Sequence, residues 1–209
     1  MAQKVKKHWR EDFDIWASPV LANMLWLMFS IWILTIPLGI VGIMAVMFHW
    51  MDDRRTQVFS IFFSTIRQVW LKSYLLLILN VLVGGFLLFN LHIISQMPMT
   101  DPFAMISLGT TLVVSVIFLS ICIPAWVLVA TWDAPLKSII RFSVQLVFAH
   151  PLWMVGNMIA FVSVFIFSLI LPAAVFITVT GAIAAYIACW RTFALVYKYH
   201  NNFQLIDIK

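Results

Sequence analysis

Charge is scarce in this chain of 209 residues: only 10% are Asp, Glu, Lys or Arg, against 64% hydrophobic. A soluble domain carries ~25% charged residues, because it must cover its surface with groups that water solvates. This chain cannot build that surface, and its mean hydropathy of +1.03 makes lipid the natural solvent for what is left over. Cysteine is scarcer still. Cys122 and Cys189 both lie in apolar runs with no CxxC spacing, so a disulfide framework is excluded and the two read as small apolar side chains. The signatures of soluble chemistry are missing too: no HExxH, GxSxG, GxGxxG or Walker A stretch occurs. His8, His49, His92, His150 and His200 never pair at metal-ligand spacing. No catalytic residue, metal ligand or cofactor site is therefore assigned, and the chain is not expected to be an enzyme. The net charge of +5 does not point to nucleic acid, because the basic residues sit in short segments between apolar runs. In such places they set topology and meet anionic headgroups.

What is abundant is unbroken apolar sequence. Spanning a hydrocarbon core of ~30 Å takes ~20 apolar residues in a helix, and five runs qualify: 20–48, 73–95, 103–131, 152–171 and 173–196. They hold no Asp, Glu, Lys or Arg until Arg191. They are apolar on every face, which argues against the alternating strands of a barrel. The expected fold is all-α: a polytopic helical membrane protein with about five spanning helices, forming a single domain over 1–209. No cleavable signal peptide is expected. Lys4, Lys6, Lys7 and Arg10 are mixed with Glu11, Asp12 and Asp14, and the apolar run that follows continues to Phe48.

Prolines punctuate the runs. Pro37 and Pro124 fall inside them, where a lost backbone donor and a crowded turn predict kinks or breaks. Pro172 predicts a very tight turn between two antiparallel neighbours. Two connecting stretches look like amphipathic helices lying in the interface. In the first, Phe59, Phe62, Phe63, Ile66 and Trp70 share a face, with Ser60, Ser64, Arg67 and Gln68 mostly away from it. In the second, Ile139, Ile140, Val144, Val147 and Phe148 form a stripe, and Lys137, Arg141 and Gln145 recur on another. Asp133 reads as a cap for this second helix. The recurrence of apolar helix, proline, acidic turn, amphipathic helix and span suggests an internal repeat.

Lysine and arginine set the orientation. Arg54, Arg55, Arg67 and Lys72 lie in 49–72, Lys137 and Arg141 in 132–150, and none lies in 96–102. The positive-inside rule then places 49–72, 132–150 and the C-terminus in the cytoplasm. Twenty-nine residues are too few for 20–48 to cross twice. If Pro37 turns the run back as a broken hairpin, the N-terminus is also cytoplasmic, with a short or re-entrant second arm. No charged pair lies at membrane depth, so Asn23, Asn80, Asn90 and Asn157 are the strongest polar groups there. Their ordinary role is interhelical hydrogen bonding at ~1 kcal/mol each, with substrate contact as the competing reading. Arg67, Lys137 and Arg141 are the candidates for a cytoplasmic-face contact, with either a partner protein or lipid headgroups.

The first third carries a further pattern: Asn23, Leu25, Trp26 and Leu27, then Thr35-Ile36, then Val58-Phe59, Phe62-Phe63 and Arg67-Gln68. In order and spacing, without gaps to about Lys72, this resembles the YesL-like family of bacterial membrane proteins, whose activity is not established. The family's Gly-Pro break is Pro37-Leu38 here, and its basic-Gly-acidic turn is Asp52-Asp53-Arg54-Arg55. The resemblance implies a multi-pass protein of the bacterial cell membrane. It also implies an accessory role beside carbohydrate ABC uptake, with importer permease subunits as partners along with the lipid bilayer. It carries no catalytic residues. The alternative is a small autonomous transporter built on proline-broken helices.

Overall fold

The structure is a computed structural model and describes residues 17–52, 57–98, 101–170 and 176–199. Both chain ends, residues 53–56 of the acidic turn and the turn at Pro172 lie outside the described residues. Within them are seven α-helices and no strand: α1 Ala17–Ser30, α2 Ile36–Asp52, α3 Val58–Ser95, α4 Pro102–Thr131, α5 Leu136–Ala149, α6 Pro151–Ile170 and α7 Gly181–Tyr199. A 3-10 turn, Ile33–Thr35, joins α1 to α2, and a π turn, Phe176–Thr180, leads into α7. Five helical segments among the described residues are long and apolar enough to cross a membrane: Ile33–Asp52, Val58–Ser95, Pro102–Thr131, Pro151–Ser168 and Thr178–Tyr197. The chain is thus a polytopic helical membrane protein.

The first apolar run is a broken hairpin. Helix α1 ends at Ser30, and the chain reverses through Ile31–Thr35, where the Thr35 hydroxyl bonds back to the carbonyls of Phe29 and Trp32. Helix α2 then starts with Pro37 in its first turn, where the missing N–H costs nothing. Pro19 and Val20 of α1 face the same hollow as Met47 and Trp50 of α2, so the arms are antiparallel. The short arm is the first, not the second as the position of Pro37 suggested. Ala17–Ser30 rises only about 21 Å, less than a full crossing. The break falls before the proline because a proline tolerates a helix's first turn far better than its middle.

Helix α2 is the centre of the bundle and packs against α3, α4 and α7. Val41 to Phe48 are all buried. Two glycines allow the close approach: a Cβ on Gly42 would sit 2.5 Å from the Phe62 ring of α3, and one on Gly39 would sit 3.1 Å from Phe29. One core draws residues from all seven helices. Most of α2 and α7 is buried, whereas α3 and α6 turn most of their apolar surface outward, as expected when the surrounding solvent is lipid.

The first amphipathic stretch is not a separate element. It continues without a break into the following span as one helix of 38 residues. Its inward stripe is Val58, Phe62, Thr65, Val69, Ser73 and Leu76, while Phe59, Phe63 and Trp70 are exposed. The small side chains Thr65 and Ser73 let helices approach, so the bulky aromatics turn to the outside. The second stretch, α5, is a separate helix of 14 residues. Ile139 and Val147 of its stripe are buried, Ile140 and Val144 are half-buried and Phe148 is exposed, while Leu146, outside the stripe, is buried too. The suggested repeat is partial at the level of elements, because α4 runs unbroken through Pro124 while the first half is interrupted at Ile31–Thr35. Asp133 does not cap α5. Pro135 is its N-cap residue, and Asp133 pairs instead with Lys72 of α3 at 3.3 Å. Asp101 does cap α4, accepting from the N–H of Phe103 at 2.9 Å.

Candidate functional site

Asn23, Asn80 and Asn90 are engaged with neighbouring helices. Asn23 of α1 is fully buried, and its Oδ1 accepts from the backbone N–H of Ala182 in the first turn of α7 at 3.1 Å. Asn90 of α3 donates to Thr111 of α4 at 2.6 Å, and Thr111 in turn donates to the Ser107 carbonyl. Asn80 accepts the weaker Cys122 thiol at 3.5 Å. These contacts run α3 and α4 antiparallel. Asn80→Leu should therefore lower stability by less than about 1 kcal/mol, read as a small shift in the thermal midpoint of the detergent-solubilised protein. Asn157 of α6 differs: it is 0% exposed, and neither its Oδ1 nor its Nδ2 has a hydrogen-bond partner among the described residues.

Arg191, midway along α7, is bracketed by the start of α6. Its guanidinium lies 4.7 Å from the centre of the Trp153 ring. The Trp153 indole N–H donates to the Arg191 carbonyl at 3.0 Å, and Arg191 Nη2 donates to the Trp153 carbonyl at 3.4 Å. Gly156 leaves the space for it, since a Cβ there would meet Nη2 at 2.9 Å. Sequence reading noted Arg191 only as the end of a run. A cationic residue facing a helix start that carries Trp and Gly three apart was the available signal.

Besides the hollow shared by Pro19, Val20, Met47 and Trp50, two more lie between the described helices. The first, of about 310 Å³, is lined by apolar residues of α1, α2, α4, α6 and α7, among them Trp26, Met44, Cys122, Trp126, Phe161 and Ala185. Its walls come from segments far apart in sequence, so it leaves no local mark along the chain. The second, of about 280 Å³, is a cleft where the ends of α2, α4 and α7 meet, lined by Phe48, His49, Asp52, Thr131 and Tyr197. His49 is held through Nδ1 to the Ala45 carbonyl at 2.9 Å. Among the described residues no three of His, Cys, Asp and Glu gather as a metal-binding group. Cys189 is buried and donates to the Met44 carbonyl at 3.4 Å.

The basic residues gather at this same end. The cleft joins the C-terminal ends of α2, α4 and α7, and the Lys72–Asp133 pair ties α3 to the turn before α5. Lys137 and Arg141 are exposed, one turn apart on α5, and Arg67 is exposed on α3 beside the outward Phe63 and Trp70. The structure shows no contact between Arg67 and the two α5 residues. The Lys72–Asp133 pair is open to solvent, so Lys72→Ala should change stability by well under 1 kcal/mol, about the usual worth of an exposed ion pair.

The architecture is that of a multi-pass helical membrane protein. Within it, residues 20–91 match the model of a family described as a protein of unknown function, DUF624. The matched stretch takes in nearly all of α1 through α3, including every residue on which the sequence resemblance stands. No curated protein and no solved structure matches the chain.

Proposed function

We propose that this is a non-enzymatic accessory protein of the bacterial cell membrane, which packs against another integral membrane protein. The charged end and the C-terminus face the cytoplasm in this reading, in keeping with the lysine and arginine bias. The partner class implied by the family resemblance is a carbohydrate ABC importer permease. One observation carries the proposal. Helix α3 spends Val58, Phe62, Thr65 and Val69 on its own core and turns Phe59, Phe63 and Trp70 outward beside Arg67. Aromatic residues and arginine are the side chains enriched where proteins meet. The asparagine amides of α1 and α3 are engaged in interhelical bonds, which favours packing over passage of a polar solute. The unpartnered amide of Asn157 favours the second reading, a small autonomous transporter.

The test is extraction of the tagged protein from its native membrane in mild detergent, followed by mass spectrometry. Recovery of an importer permease at near-stoichiometric level is expected, and a Phe63→Ala, Arg67→Glu, Trp70→Ala variant should lose it while keeping its elution profile. Recovery of the protein alone across several detergents would overturn the accessory reading and make substrate screening the next step.

A further inference from the structure

The apolar hollow between α2, α4, α6 and α7 opens sideways. Its inner wall is buried, at Met44, Trp126 and Ala185 among others. Two lining residues are exposed, Leu119 of α4 at 48% and Val162 of α6 at 41%, and the others are buried or half-buried. The mouth therefore lies between α4 and α6. Both residues sit inside segments long and apolar enough to cross the membrane. Leu112 and Val116 on α4 and Ile159 and Ile166 on α6 are also exposed and apolar. What stands outside the mouth is hydrocarbon.

The occupant follows from size and chemistry. Water needs two or more polar partners to be held in a cavity, and these walls are almost wholly apolar. An apolar cavity of about 150 Å³ already binds benzene, and this one encloses about 310 Å³. A helix of a partner protein, about 10–12 Å across with its side chains, is too wide for it. A single flexible hydrocarbon chain is not, and the bilayer supplies such chains at the mouth. We propose that the hollow is a lateral binding site for one acyl chain of a membrane phospholipid, which enters between Leu119 and Val162 and lies against Trp126 and Phe161. The site is independent of the partner-protein reading, since none of Phe59, Phe63, Arg67 and Trp70 lines it.

The full chain, reconstituted in phosphatidylcholine vesicles doped with a phosphatidylcholine carrying a mid-chain diazirine, is photolysed and its adducts are mapped by mass spectrometry. Adducts on the buried residues Met44, Trp126 and Ala185 are expected, alongside those that bulk lipid places on exposed Leu82 and Phe86. Leu119→Trp adds bulk at an already exposed lip and should remove the cavity adducts while leaving those on Leu82 and Phe86. Val162→Trp, on the other lip, should do the same, and the unchanged outer adducts report that each variant is folded. Adducts confined to outward residues such as Leu82, Phe86 and Ile159 would overturn the proposal. So would cavity adducts that survive both lip substitutions.

Discussion

Gly42→Ala is expected to lower the stability of the bundle by about 1–3 kcal/mol, the usual cost of overpacking a filled core. The added Cβ would lie 2.5 to 2.7 Å from three atoms of the Phe62 ring. That ring cannot easily withdraw: Phe62 is fully buried, and its ring lies 5.3 Å edge-on from Phe29 of the hairpin's first arm. Either α2 and α3 part or the ring moves into α1, and both disturb the contact that joins hairpin to long helix. Thermal unfolding in detergent, followed by size-exclusion elution, measures the effect. Gly85→Ala is the control, because nothing lies within 4 Å of its added Cβ. There alanine should stabilise slightly, by up to ~1 kcal/mol of helix propensity. A double variant, Gly42→Ala with Phe62→Leu, should cost less than the sum of its parts, since the two residues share one space. Equal behaviour of Gly42→Ala and Gly85→Ala would show that α2 and α3 do not meet at this glycine.

Asn23→Leu is expected to be the most damaging of the asparagine substitutions. The bond it removes is to a backbone N–H, that of Ala182, held within a buried interface between α1 and α7. Leaving such a donor unpaired costs about 1–3 kcal/mol. Shape adds to it: a Cβ on Gly181 would come within 2.6 Å of Asn23 Oδ1 and 2.5 Å of the Trp26 ring, so leucine's branch has no room. Asn80→Leu loses only a thiol contact at 3.5 Å, and the two measured side by side separate a structural amide from a minor one. Unchanged assembly of Asn23→Leu together with lost uptake of a solute would assign Asn23 to substrate contact instead. Asn23 and Trp26 belong to the residues that carry the family resemblance, and the structure gives both a packing role against Gly181.

The helices themselves were legible in the sequence because lipid imposes a simple rule: about 20 apolar residues, helical, with charges kept at the ends. The spans from 73, 103 and 152 begin within a residue of what that rule predicts or lie inside a longer helix, and the amphipathic character of 136–149 is visible in its four-residue recurrence of Lys137, Arg141 and Gln145. Which face of a helix meets protein was not legible. In water the bulky apolar stripe goes inward, and that reading grouped Phe59, Phe62, Phe63, Ile66 and Trp70. In lipid, bulky apolar side chains are equally content outside, so close packing of small groups decides, and only Phe62 of the exposed-or-buried aromatics found a glycine to fill.

The amino-acid sequence by itself determined that the chain is a bundle of membrane helices, where its charges gather, and that asparagines are the strongest polar groups at membrane depth. Hydropathy and charge are properties of segments, so they survive being read one segment at a time. Only the tertiary structure decided that the first arm of the hairpin is the short one, that Asn23 reaches a helix 159 residues away, that Asp133 pairs with Lys72 rather than capping, and that an apolar hollow opens between α4 and α6. Each of these depends on which helices lie side by side, and among uniformly apolar helices that choice is made by van der Waals fit and a few hydrogen bonds, which leave no periodic mark along the chain.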